Sequence, residues 1–283
     1  MNDLGSAARY IETPNLSISV GGTTFAYRDL GPREGVPLVL LNHWGAVLDN
    51  FEPEIMDGLA RTHRVIATDY RGIGASGGTA PVTVDEMARD AIALIVALGL
   101  SKIDLLGFSL GGFVAQDIAL KAPGLVRKLI LAGTGPAGGE GIEKVGALSW
   151  PQIIEGLLTL RDPKFYLFFT STANGRQPAR AFLNRLKVRT TNRDKPPTVR
   201  AFLRQLRAIK AWGRQPPQDL GILKIPVLIA NGDNDIMVPT RNSNDMASRI
   251  PDAKLVIYPD AGHGGIFQFH NEFVSEALAF LAS

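Results

Sequence analysis

Two kinds of hydrophobic pattern alternate along this chain. Near its start, LSISV and TTFAYRDL alternate apolar and polar positions on either side of Gly21-Gly22, which predicts a β-hairpin. From residue 37 onward short apolar runs with strand character take over: PLVLLN (37–42), RVIATD (64–69), KIDLLG (102–107), VRKLILAG (126–133), IPVLIANG (225–232) and AKLVIYPD (253–260). Unalternated runs rich in Val, Ile and Leu are what strands covered on both faces look like, as in a parallel sheet. Helical periods lie between them. TVDEMARDAIALIVALGL opens with Thr83 and Glu86 at capping-box spacing and closes at Gly99, GGFVAQDIALKAP stops at Pro123, and TRNSNDMASRI and NEFVSEALAFLAS complete the set. This succession predicts an α/β fold: a mostly parallel central sheet with helices on both faces.

The alternation lapses between residues 137 and 218. That segment holds the helical pieces SWPQIIEGLLTL, PARAFLNRLKV and PTVRAFLRQLRAIKAW, separated by breaks containing Pro and Gly. In the last piece Val199, Phe202, Leu203, Leu206 and Ile209 recur at helical spacing and predict one apolar face. The expected organisation is a core of residues 1–136 and 219–283 with a helical cap, 137–218, inserted between two strands. Charge follows the same boundary. The net +3 divides into 15 Lys and Arg against 5 Asp and Glu inside the segment, and 15 against 22 outside it. Because these cations alternate with an apolar stripe, they read as a solvated helix face rather than a nucleic-acid surface.

Composition narrows the function classes. With 45% hydrophobic and 20% charged residues in 283, the chain sits near the averages of globular proteins. It has no run of eighteen apolar residues, and MNDLGSAARYIETP has neither a basic n-region nor an apolar h-region, so a cytoplasmic protein without a membrane partner is expected. The absence of cysteine excludes disulfides, thiolate nucleophiles and cysteine metal sites. The four histidines, His43, His63, His263 and His270, show no close metal-ligand spacing, so neither a metal nor another cofactor is expected.

Chemistry concentrates at GFSLGG, residues 107–112. Gly107, Ser109 and Gly111 satisfy GxSxG between a strand-like and a helix-like run, the setting of a nucleophile elbow. A serine in a strained turn needs small neighbours where strand and helix meet, and its hydroxyl then projects toward a substrate carbonyl. It also needs a base, and the base an orienter. His263, in DAGHGGIF directly after the last strand-like run, is placed where α/β sheets gather catalytic groups, whereas His270 reads as surface. NGDNDIMVP after IPVLIA offers Asp233 or Asp235 as the acid. The order Ser, acid, His is that of one hydrolase fold.

With GFSLGGF at 107–113, DYRGIGASG at 69–77, GDNDIMVP at 232–239 and AGHGG at 261–265, the chain resembles the α/β-hydrolase superfamily over nearly its whole length. The resemblance implies Asp235, not Asp233, as the acid, because the family pattern GxxDxxVP falls there. It implies an oxyanion hole of two backbone N–H groups, one from Leu110 after the nucleophile and one from Trp44, where the family commonly has His-Gly-X with X as donor. This chain reads Asn42-His43-Trp44-Gly45, with His43 at the family's glycine position. A serine nucleophile also differs from the aspartate of the dehalogenase and epoxide hydrolase branches.

The implied activity is acyl transfer from a small to medium apolar ester through Ser109, His263 and Asp235. Carbon–carbon bond hydrolysis, lactonase, amidase or perhydrolase chemistry, and a ligand receptor on the same fold, stay open. Trp44, Trp150, Phe168 and Trp212 are the expected substrate-lining residues, with the oligomeric state left open.

Overall fold

The six apolar runs become the parallel strands of one sheet. The computed structural model describes residues 9–283, so the N-terminal eight residues assigned to the core lie outside the described residues. Within these, β1 (Leu16–Val20), β2 (Thr23–Leu30), β3 (Leu38–Leu41), β4 (Val65–Thr68), β5 (Ile103–Phe108), β6 (Val126–Ala132), β7 (Val227–Gly232) and β8 (Lys254–Tyr258) are ordered β1-β2-β4-β3-β5-β6-β7-β8. β2 pairs antiparallel with β1 and β4, and every other neighbour is parallel. Gly21 and Gly22, at φ 54° and 80°, turn the first hairpin in the left-handed geometry that a two-residue loop requires.

Burial explains the two patterns. All of β3, β4, β5 and β7 is buried, whereas β1 is mostly exposed. Each fully buried Leu, Ile or Val contributes about 1.5–3 kcal/mol of transfer free energy, so these strands carry the core. Helices α1 (Pro53–Ala60), α2 (Val84–Ala97) and α3 (Leu110–Lys121) cover the sheet between its early strands. Thr83 Oγ1 accepts from the Glu86 N–H at 3.2 Å, as the capping-box spacing predicts. The pattern does not predict α1. Its eight residues include Asp57 and Gly58, yet Ile55, Met56 and Leu59 bury one face, and the Glu52 carboxylate caps the Ile55 N–H at 2.8 Å.

Between β6 and β7 the chain forms α4 (Val145–Leu158), α5 (Lys164–Leu167), α6 (Ala173–Arg185) and α7 (Val199–Gly213); after β7 come α8 (Arg241–Arg249), α9 (Gly265–Gln268) and α10 (His270–Ala282). The apolar stripe expected on α7 holds in part: Ile209 is buried and Phe202 and Leu206 pack against the core. Val199 and Leu203 are exposed, and the buried face is Ala201, Gln205, Ala208, Ile209 and Trp212. Arg189 ties the inserted segment down by donating to the Ile11 and Thr13 carbonyls, both at 2.8 Å. No helix among the described residues is long and apolar enough to cross a membrane.

A second tie involves the DYRGIGASG stretch. Asp69 is buried beside Asp194 of the inserted segment, and the Asp49 carboxylate accepts the Asp194 N–H at 2.8 Å. Burial first, and then Asp194, holds the Asp69 carboxyl well above the usual carboxylate range. A raised folded-state pKa gives stability that is complete below the unfolded value and lost as pH rises through the folded one. Asp69→Asn is therefore expected to gain stability relative to wild type as pH increases from about 4 toward 8, read as a difference between urea midpoints. Parallel pH profiles for the two proteins would contradict this.

Candidate active site

Every group proposed from the sequence for chemistry follows the carboxyl end of a parallel strand: Trp44 after β3, Ser109 and Leu110 after β5, Asp235 after β7 and His263 after β8. Parallel strands bring those ends to one edge, which is why residues 44 to 263 meet.

Ser109 is the single residue between β5 and α3, held at φ 57° and ψ −118°. A non-glycine residue there is strained, and the strain is sustained by its surroundings. The Ser109 N–H donates to the Ala132 carbonyl at 2.9 Å, and the Thr134 hydroxyl donates to the Ser109 carbonyl at 2.8 Å. The flanking glycines are steric necessities: a Cβ on Gly107 would overlap the Gly111 backbone, and one on Gly111 would overlap the Leu41 carbonyl.

His263 Nε2 lies 2.9 Å from Ser109 Oγ, and its Nδ1 lies 2.8 Å from Asp235 Oδ2. All three side chains are buried. The other Asp235 oxygen accepts from the Met237 and Val238 N–H groups at 2.8 and 2.9 Å, which fixes the carboxylate plane. Asp233 instead is exposed and accepts from the Ala261 N–H at 3.1 Å, bracing the loop that carries His263. His270, read as surface, is half-buried at the start of α10.

The loop after β3 supplies a turn. The Ala46 N–H donates to the His43 carbonyl at 3.2 Å, Gly45 has φ 71° and Trp44 has no positive φ, the signature of a type II turn. His43 adopts an ordinary negative φ at the family's glycine position. The Trp44 N–H has no acceptor among the described residues, and as the first residue of α3, Leu110 presents an N–H without an intrahelical partner.

His43 is a feature the motifs do not disclose beyond its odd position. Its Nδ1 lies 2.8 Å from the Trp44 carbonyl, so that nitrogen carries the proton and Nε2 is left as an acceptor without a partner among the described residues. Burial, with the Lys164 charge adding to it, pushes the imidazole down to about 3.

These groups open on a cavity of about 200 Å³. Trp44, Trp150 and Phe168 line it, joined by Leu167, Phe202 and Met237. Trp212 does not. It is buried against Phe113, with ring centroids 5.7 Å apart, and its Nε1–H donates to the Gly135 carbonyl at 3.3 Å, so it braces α7 against the core. Phe168 also stands edge-on to His263 and His43, and its carbonyl accepts the Gly264 N–H at 2.8 Å. Lys164 and Asp162 add one polar element to the wall, paired at 2.8 Å. Burial works to raise the Asp162 pKa, but Lys164 holds it below its usual range. Nothing in the DPK tripeptide distinguishes these two from an ordinary turn.

Residues 36–269 match the alpha/beta hydrolase fold family, and the chain belongs to that family. An alpha/beta hydrolase fold protein from Chitinophaga pinensis superposes with a TM-score of 0.93 at 37% identity, covering 98% of this chain and 100% of that one. A pimeloyl-[acyl-carrier protein] methyl ester esterase from Nitrosomonas europaea is 28% identical over 85% of this chain and 94% of its own length. A non-heme haloperoxidase from Rhodococcus erythropolis is 27% identical over 93% of this chain and 97% of its own length.

Proposed function

We propose that the chain is a serine hydrolase that cleaves a carboxylic ester, or a related acyl bond, of a small to medium substrate through an acyl-enzyme. The observation that carries this reading is the unbroken hydrogen-bonded series Ser109 Oγ, His263 and Asp235 opening on the cavity.

Ser109 Oγ attacks the ester carbonyl as His263 Nε2 takes its proton, and Asp235 accepts the Nδ1–H, holding the tautomer and stabilising the imidazolium. The N–H groups of Trp44 and Leu110 receive the developing oxyanion, a role supported by their lack of other acceptors among the described residues. His263 returns the proton to the leaving alcohol, and water repeats the cycle on the acyl-enzyme. His43 remains neutral at physiological pH and supplies no proton. The inserted helices act as a cap whose Trp150 and Phe168, with Trp44, contact the substrate. The name of the Nitrosomonas europaea relative supports ester chemistry, and that of the Rhodococcus erythropolis relative keeps a peroxide-using reaction on the same groups as the second reading.

The cavity is smaller than the roughly 300–1,000 Å³ of sites for drug-sized ligands, so short acyl chains are favoured. Rates with p-nitrophenyl acetate, butyrate and octanoate test this. Higher kcat/KM for acetate and butyrate is expected; absence of turnover with all three would contradict the function, and a preference for octanoate would contradict the size of the site.

A further inference from the structure

The inserted helix α7 grips the turn that carries the proposed oxyanion donor. Gly45 N–H donates to Gln205 Oε1 at 2.9 Å, and Trp44 Nε1–H donates to the Phe202 carbonyl at 2.8 Å. The rings of Trp44 and Phe202 stack with centroids 4.1 Å apart. Gly45 is so close to Phe202 that a Cβ there would stand 2.8 Å from its ring.

Gln205 itself is hard to explain as packing. It is fully buried among Ala201, Ala208, Ile209 and Trp212 on its helix, and its Nε2 has no partner among the described residues. Burying an amide costs free energy that only hydrogen bonds offset. The one bond its side chain makes among the described residues goes to the central peptide of the 43–46 turn. That peptide is held at both ends, since its carbonyl takes the His43 Nδ1–H and its N–H is taken by Gln205. Types I and II of a four-residue turn differ by a flip of this peptide, so the two side chains together select the form present here. The N–H of Trp44 belongs to the preceding peptide and is left free by the same arrangement.

We infer that Gln205 is a positioning residue for the oxyanion donor Trp44, acting through the Gly45 amide, so that the reaction depends on α7 being seated on the β3 loop. The inference rests on the serine-hydrolase reading and adds a residue of the inserted segment to its machinery. Misplacing a preorganised donor by a fraction of its hydrogen-bond length raises the barrier without weakening ground-state binding.

The test compares wild type, Gln205→Leu and Gln205→Glu with p-nitrophenyl butyrate, and follows the Gly45 amide in ¹⁵N–¹H spectra. Leu removes the acceptor at similar volume, and Glu keeps an acceptor oxygen. Gln205→Leu is expected to lose roughly ten- to a hundredfold in kcat with KM within about threefold, together with an upfield shift of the Gly45 amide proton. Gln205→Glu is expected to recover most of both. If Gln205→Leu does not fold, Gln205→Met, which keeps chain length and offers no acceptor, takes its place. An unchanged kcat in a folded variant, or a loss that Gln205→Glu does not reverse, would overturn the inference and leave the serine-hydrolase reading standing. A wild type without turnover on any ester would remove that reading and this inference with it.

Discussion

Ser109→Ala is expected to lower kcat/KM on an activated ester by roughly 10⁴- to 10⁶-fold. The alanine removes the oxygen that lies 2.9 Å from His263 Nε2 and leaves the Asp235 pairing intact. Loss should fall in kcat, because Trp44, Trp150 and Phe168 still line the cavity. The variant should retain some rate above the uncatalysed reaction, since oxyanion donors and substrate binding act without the nucleophile. It should also fold at least as well as wild type. Alanine at φ 57° keeps the backbone strain, but the hydroxyl it removes is a buried polar group. A loss below tenfold, measured against protein free of wild-type contamination, would exclude Ser109 as nucleophile.

Asp235→Asn is expected to lower kcat/KM by roughly 10⁴-fold. Its size follows from hydrogen-bond bookkeeping. Asp235 Oδ1 already accepts the Met237 and Val238 N–H groups, so an asparagine keeps its carbonyl oxygen there and turns its NH₂ toward His263. Nδ1 must then become the acceptor, which puts the proton on Nε2 and leaves Ser109 without a base. The comparison with Asp233→Asn makes the prediction specific. That carboxylate braces the Ala261 N–H from an exposed position, and its loss should cost only a few-fold. Equal effects of the two substitutions would contradict the choice between them.

The sheet was legible because strands buried on both faces are rich in Val, Ile and Leu. Each of β3 to β7 follows from a run such as VRKLILA or VLIANG, and the half-buried edge strand β8 from KLVIY. The elbow was legible for a steric reason, since Gly107 and Gly111 stand where any Cβ would meet backbone. The chain order of Ser109, Asp235 and His263 carried information because topology fixes which strand ends adjoin. Helix α1 was not legible. It is too short for a clear period, and its capping residue is a glutamate.

The inserted segment is where pattern misleads. Hydrophobicity picks Val199 and Leu203 for the inner face of α7, but both are exposed, and Ala201 and Ala208 share the buried face with Ile209 and Trp212. Trp212 braces α7 against Phe113 and the Gly135 carbonyl rather than lining the cavity, and a polar residue, Gln205, sits on the buried face. His43 and Gln205 matter through single hydrogen bonds to one peptide, 160 residues apart in the case of Gly45 and Gln205. No local spacing encodes such a contact.

The most direct test of the central claim is covalent labelling with a fluorophosphonate, with the modified peptide located by mass spectrometry in wild type and in the Asp235→Asn variant. The account predicts stoichiometric label on Ser109 in wild type and labelling slowed by orders of magnitude in Asp235→Asn. Absence of label in folded wild type, or label on a serine other than Ser109, would contradict it.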